Sequence, residues 1–134
     1  MQKILASARV FGTLLLLFLV LPGPVRAAEP APPPDANLVL RGELRVGQPV
    51  EALFDLKGYE IPMGSYASIK VIFIDKPDGP EPAVRTGYPT TTITFHQPGE
   101  YRIGFLLNEV TKGSCGGALA KNLLEAQRTL VITK

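Results

Sequence analysis

The sequence predicts an all-β fold, a single antiparallel β-sandwich of about seven strands. Apolar residues alternate with polar ones through most of residues 37–134, which is the side-chain period of a half-buried strand. Turn-forming residues recur roughly every 8–12 residues, and no long helical period interrupts them. Short strands at this spacing are typical of two packed antiparallel sheets.

The first half of this region contains three predicted strands. Residues 37–47 (NLVLRGELRVG) form the first strand, interrupted at Gly42, and residues 50–58 (VEALFDLKG) form the second. Residues 67–75 (ASIKVIFID) form the third, and we expect it at the centre of a sheet because it is richest in β-branched residues. The inward positions of the second strand are Val50, Ala52, Phe54 and Leu56.

The second half adds four predicted strands, over residues 83–87, 90–97, 100–108 and 128–134. The first of these is a short edge strand, and the next points Ile93 and Phe95 inward. The strand over 100–108 has its inward positions at Tyr101, Ile103, Phe105 and Leu107, and the last strand has them at Leu130 and Ile132. Residues 118–127 (ALAKNLLEAQ) are strong helix formers, so a short helical turn before the last strand is an open alternative.

Residues 1–27 predict a secretory signal peptide. Lys3 and Arg9 precede the apolar run FGTLLLLFLVL, and a small-residue cleavage site follows at Ala27. The run has 11 residues, whereas a membrane-spanning helix needs about 20. We therefore expect cleavage after Ala27, export to the bacterial periplasm or the exterior, and no membrane span in the mature chain.

Residues 28–36 (AEPAPPPDA) are predicted to form a proline-rich leader ahead of the domain at 37–134. Loss of the signal peptide removes three basic residues and no acidic one. The remaining 11 basic and 12 acidic residues give a formal net charge of −1 instead of +2. This charge gives no reason to expect nucleic acid or an anionic membrane surface as a partner.

The segment QPGEYRIGF resembles the penultimate strand of immunoglobulin-like and PKD-like domains. In those domains a turn residue, a glycine and a tyrosine fall at alternate positions, occupied here by Gln97, Gly99 and Tyr101. The resemblance implies an immunoglobulin-like β-sandwich in which Gly99 and Tyr101 are structural and the tyrosine hydroxyl bonds back to the loop backbone. The absent antibody disulfide and core tryptophan favour a PKD-like or bacterial immunoglobulin-like version, and the resemblance implies no activity.

Cys115, the only cysteine, lies in KGSCGG, which resembles the nucleophile motif of the chymotrypsin-like cysteine proteases of RNA viruses. A catalytic thiol needs a base within hydrogen-bond reach, and the one histidine of the chain is His96. The predicted strand over 100–108 separates the two residues and places them at opposite ends of the sandwich. We therefore predict no catalytic residues and no enzymatic activity.

Three interpretations of Cys115 stay open. The thiol is shielded in its glycine-rich turn, it forms a disulfide with a second copy or another protein, or it carries a sulfur species or a soft metal. The sulfur-carrier subunits of bacterial thiosulfate oxidation look similar at their Gly-Gly-Cys-Gly-Gly tip. Their cysteine is terminal, whereas 19 residues follow Cys115. Met63 is the second soft side chain expected at the same end.

Three tyrosines are expected beside Cys115 and Met63 at one end of the sandwich: Tyr59, Tyr66 and Tyr88. Exposed tyrosines on sandwich loops are typical of protein recognition, and half-buried loop packing is the alternative. We therefore predict an exported, non-enzymatic binding or accessory module that meets a protein partner through this end. The alternative is a periplasmic thiol-dependent carrier or soft-metal-binding protein that uses Cys115. No cofactor and no metal ligand set is predicted, and a disulfide-linked homodimer through Cys115 stays open.

Overall fold

The structure is a computed structural model that describes residues 36–134. Within this range the strands are β1 (Asn37–Arg41), β2 (Pro49–Asp55), β3 (Ser65–Asp75), β4 (Ala83–Arg85), β5 (Thr90–Thr94), β6 (Gly99–Lys112) and β7 (Ala118–Ile132). No helix occurs among the described residues, so the predicted all-β fold is confirmed. The predicted signal peptide and all but the last residue of the predicted leader lie outside the described range.

The strands form two antiparallel sheets, and this arrangement is compatible with a β-sandwich. One sheet has the order β1-β2-β5-β4 and the other the order β3-β6-β7. Aromatic side chains join the two sheets in the core. The ring centroids of Phe54 and Phe105 are 6.4 Å apart in an edge-to-face arrangement, and those of Phe95 and Tyr101 are 4.7 Å apart.

The positions that the two-residue period assigns to the interior are buried. Twelve side chains are at most 2% exposed, most of them in β2, β5 and β6. Because burial of a large apolar side chain contributes about 1.5–3 kcal/mol, this alternation holds the two sheets together. The predicted inward residues that are buried are Val50, Ala52, Phe54, Leu56, Ile93, Phe95, Tyr101, Ile103, Phe105, Leu107, Leu130 and Ile132.

The alternative helical turn within residues 118–127 does not form, because this stretch is the first part of β7. The strand has 15 residues and pairs with the 14 residues of β6 along their whole length. A register shift beside Leu107 leaves Leu123 without a partner on β6, and both Leu123 and Leu124 are buried. Backbone pairing and the burial of two leucines therefore outweigh the helix propensity of the segment.

The prediction that residues 67–75 form a central strand is also wrong. β3 pairs with β6 on one side and lies at the edge of its sheet. The place at the centre belongs to β6, whose inward residues are more deeply buried than those of β3. Apolar content alone cannot distinguish the two positions, because an edge strand that packs on a core is also rich in β-branched residues.

The turn before β6 is held by the residues that carry the resemblance to immunoglobulin-like domains. The Tyr101 hydroxyl donates a hydrogen bond to the Gln97 carbonyl at 2.9 Å, and only 1% of Tyr101 is exposed. Gly99 has a φ of 138°, and a Cβ atom there would lie 2.4 Å from Cγ of Pro77. A glycine is therefore required at this position by both backbone conformation and space.

Tyr101→Phe is expected to lower the free energy of unfolding by about 1–2 kcal/mol, because a partly buried carbonyl loses its hydrogen-bond donor. The melting temperature should fall by roughly 5–10 °C, measured by circular dichroism. The matched control is Tyr66→Phe, at a tyrosine that is 49% exposed, and it should melt like the parent. Equal melting of all three chains would contradict a structural role for the Tyr101 hydroxyl.

Candidate functional site

Three connections meet at one end of the domain. β6 runs from the His96 side toward Cys115, and antiparallel pairing sets the directions of β3 and β7. Tyr59 in the β2–β3 connection bonds to Glu109 near the end of β6. The Phe54 N–H, near the end of β2, donates to the Pro89 carbonyl in the β4–β5 connection at 2.8 Å. The β2–β3 loop (56–64), the β4–β5 loop (86–89) and the β6–β7 turn (113–117) consequently lie together, and we call this the loop end. Four of the five predicted binding residues lie in these connections, and the fifth, Tyr66, is the second residue of β3: Tyr59, Met63, Tyr66, Tyr88 and Cys115.

Cys115 lies at the turn of the β6–β7 hairpin with its side chain exposed. The turn is closed by a hydrogen bond from the Gly113 N–H to the Gly117 carbonyl at 2.7 Å. Gly116 has a φ of 82°, a conformation that favours glycine. Because the surrounding residues have little or no side chain, nothing in the turn covers the thiol. The interpretation that Cys115 is shielded is therefore wrong.

Cys115 and His96 lie at opposite ends of β6. A strand of 14 residues spans roughly 45 Å at about 3.3 Å per residue. His96 is exposed in the turn before the strand, and Cys115 follows the strand. Since proton transfer requires a separation of about 3 Å, His96 cannot act as a base for this thiol within one chain.

A partly buried polar cluster lies beneath the β2–β3 loop. The Tyr59 hydroxyl donates a hydrogen bond to Oε2 of Glu109 at 2.6 Å, and Glu109 is 8% exposed. Nζ of Lys121 donates to the same hydroxyl at 3.2 Å and lies 4.7 Å from the centroid of the Tyr59 ring. The loop is thus joined to both β6 and β7 through one side chain.

Two further contacts set the position of Met63. The Ser65 N–H donates to the Pro62 carbonyl at 3.0 Å, and Gly64 between them has a φ of 88°. The Ser65 hydroxyl lies 2.6 Å from the Thr111 hydroxyl, which joins the end of this turn to β6. Met63 is at the tip of the turn and is fully exposed to solvent.

The end of the three-stranded sheet is accessible on both faces. Leu119 pairs with Thr111 and lies on the same face as the buried Leu107, yet 74% of Leu119 is exposed. Tyr66 pairs with Val110 on the other face and is 49% exposed. The three-stranded sheet therefore extends past the core, and its end presents large apolar side chains to solvent.

Tyr88 lies beside Asp55, the last residue of β2 in the other sheet, and is 40% exposed. Partial burial raises the pKa of its hydroxyl, and the Asp55 carboxylate raises it further. The Lys57 side chain lies 2.7 Å from Asp55, and its hydrogen bond lowers the pKa of that carboxyl. The contact between Lys57 and Asp55 therefore stabilises the folded chain at pH values above the ordinary pKa of aspartate. The contribution is lost as the pH falls through the lowered pKa of Asp55.

The five predicted residues share one end of the domain but play different structural parts. Tyr59 is half-buried, Met63 and Cys115 are exposed, Tyr66 lies on the outer face of β3, and Tyr88 lies in the β4–β5 loop of the other sheet. The sequence reasoning missed Glu109, Lys121 and Leu119. Glu109 could have been found from the sequence, because it lies two residues after Leu107 and therefore on the inward side of the same strand. The other two lie in the stretch for which a helical turn was an alternative.

Among the described residues, no group of three or more His, Cys, Asp and Glu side chains is close enough together to hold a metal ion. The same range contains no helix that could cross a membrane. Comparisons of the chain with models of protein families, with curated protein sequences and with solved structures found no match.

Tyr59→Phe should release the β2–β3 loop, because it removes the hydroxyl that joins Glu109 to Lys121 and leaves a buried carboxylate without that donor. We expect a loss of about 1.5–3 kcal/mol of stability, the range for hydrogen bonds to charged groups. Amide hydrogen exchange should accelerate in residues 57–64 and stay unchanged in β2. Tyr88→Phe, the control at the same end, should leave exchange in this loop at the parental rate. Unchanged exchange in the Tyr59 variant would show that the hydroxyl does not position the loop.

Proposed function

We propose that this chain is an exported, non-enzymatic binding module of the immunoglobulin-like or PKD-like class. The strand orders β1-β2-β5-β4 and β3-β6-β7 support this class, since immunoglobulin constant-type sandwiches use the same two orders. The hydrogen bond from Tyr101 to Gln97 is a second point of similarity. The predicted signal peptide supports a periplasmic or extracellular location.

The loop end is the proposed binding surface. The observation that carries this proposal is the exposure of Met63, Tyr66 and Leu119 on a part of the sheet that extends past the core. Methionine and tyrosine are enriched at protein interfaces. Because Tyr59 holds the loop to β6 and β7, little conformational entropy is lost when a partner binds there. A protein partner with an apolar, concave surface fits this shape best.

The absence of enzymatic chemistry is part of the proposal. Cys115 is exposed, but the only histidine lies at the other end of β6. The Tyr59 hydroxyl bonds to both Glu109 and Lys121, and all three residues are partly or fully buried under the loop. These hydrogen bonds support a structural role for the cluster, because its polar atoms bond within the cluster.

Site-specific photo-crosslinking in the native cells tests the binding surface. A photoreactive residue at Met63 or at Leu119 is expected to give one common cross-linked partner. The control position is Leu44, which is also exposed but lies in the β1–β2 connection at the opposite end. If Leu44 gives the same product, or if neither loop-end position gives any, the loop end is not the binding surface.

A thiol-dependent role is the second candidate, and the exposure of Cys115 favours it. In one form, Cys115 makes a disulfide with the Cys115 of a second copy or with a cysteine of a partner protein. Two thiols then lose two electrons and two protons to an oxidant, which an oxidising compartment supplies. In the other form, Cys115 carries a sulfur species or binds a soft metal with Met63 at the same end. Intact mass spectrometry of protein from its native compartment distinguishes a free thiol from each product. A free thiol, together with a Cys115→Ser chain that keeps its partner, would remove this candidate.

A further inference from the structure

The free edge of β3 is a second surface on this domain, separate from the loop end. β3 has 11 residues and pairs only with β6 within residues 36–134. The other side of the strand therefore presents backbone donors and acceptors that are not used by a neighbouring strand. Such an edge is a template for pairing with another extended segment.

Side chains on both faces of β3 would gain from an added strand. Ile72 and Ile74 point away from the core and are 43% and 41% exposed. Ile69, Val71 and Phe73 point toward the core but are only partly buried, because no strand covers their outer side. An added strand would remove apolar surface from water on both faces at once.

We propose that the occupant of this edge is a second copy of β3, paired antiparallel about a two-fold axis at Ile72. In this register Ile72 faces the Ile72 of the second copy, and Val71 faces Phe73. Opposed residues in an antiparallel pair point to the same side, so the outer faces of the two sheets become continuous. The two three-stranded sheets join into one sheet of six strands.

Charge disfavours the symmetric registers whose axis lies nearer the start of β3. A two-fold axis at Lys70 would place two ammonium groups directly opposite each other, and an axis at Val71 would leave them diagonal neighbours. With the axis at Ile72, the two lysines are separated by four residues, or about 13 Å. Each Lys70 then lies opposite Ile74 of the other copy and next to its Asp75.

Asp75 is placed for this contact by the irregularity at the end of β3. The register with β6 shifts between Phe73 and Asp75, so that Asp75 pairs with Arg102, an exposed residue of β6. The shift brings Asp75 to the outer face, where Lys70 also lies. The edge therefore carries one positive and one negative side chain on either side of an apolar centre. An antiparallel copy of the same edge is complementary to it.

This dimer is different from a disulfide-linked dimer through Cys115. The paired β3 strands run in opposite directions, so the two loop ends point away from each other. The two Cys115 thiols are then at the far ends of the assembly, and both loop ends stay accessible. The inference is consequently independent of the proposed binding surface, and either can fail without the other.

Sedimentation equilibrium of the processed protein in a Cys115→Ser background tests the dimer. We expect a reversible dimer in the micromolar range, since the shared edge is small. Ile72→Lys and Ile72→Glu should each weaken dimerisation at least tenfold, because each places like charges opposite one another on the axis. A mixture of the two variants should form a heterodimer, because position 72 then pairs lysine with glutamate. The control is Val131→Lys, at a 58% exposed residue of β7, and it should dimerise like the parent.

A charge exchange gives a second measurement that does not alter the apolar centre. Lys70→Glu should weaken the dimer, and the double variant with Asp75→Lys should regain it. A protein that stays monomeric through the micromolar range, or a mixture of the two Ile72 variants that does not associate, would overturn the proposal. Native mass spectrometry that finds a bound peptide on the edge in place of a second copy would overturn it as well.

Discussion

The backbone pairing between β6 and β7 is the constraint on which the rest of the structure depends. Every residue of β6 has a partner on β7, and the inner face of the pair supplies a large part of the core. The same pairing continues beyond the core to the turn at Cys115. Because β6 and β7 stay paired along their whole length, the three-stranded sheet extends past the four-stranded sheet. The β2–β3 loop packs on the inner face of this extension. The loop end is a consequence of this difference in strand length.

The buried carboxylate of Glu109 determines how the loop end is built. Glu109 continues the inward series of β6, and at that position a carboxylate needs a donor because it is almost fully buried. Tyr59 supplies that donor and draws the β2–β3 loop onto the sheet. Lys121 then adds a donor to the tyrosine hydroxyl and a positive charge over its ring. One buried acid thereby fixes the position of the loop that presents Met63.

The alternation of apolar residues was enough to predict the all-β fold and nearly all of the inward positions, because a two-residue period follows directly from strand geometry. The secondary structure of residues 118–127 could not be predicted in this way. Their helix propensity is a local property, whereas the pairing with β6 involves partners from 6 to 23 positions away, from Lys112↔Ala118 to Gly104↔Gln127. The edge position of β3 and the exposure of Cys115 likewise depend on which strands become neighbours. For the site, the sequence placed five residues at one end but could not distinguish half-buried Tyr59 from exposed Met63.

Backbone NMR of residues 118–127 tests the central claim most directly. The β6–β7 pairing predicts extended Cα and Hα chemical shifts through this stretch and cross-strand contacts between Asn108 and Asn122, whose side chains are also hydrogen-bonded at 3.2 Å. Helical shifts between Leu119 and Gln127, without those cross-strand contacts, would contradict the long hairpin and with it the placement of the loop end.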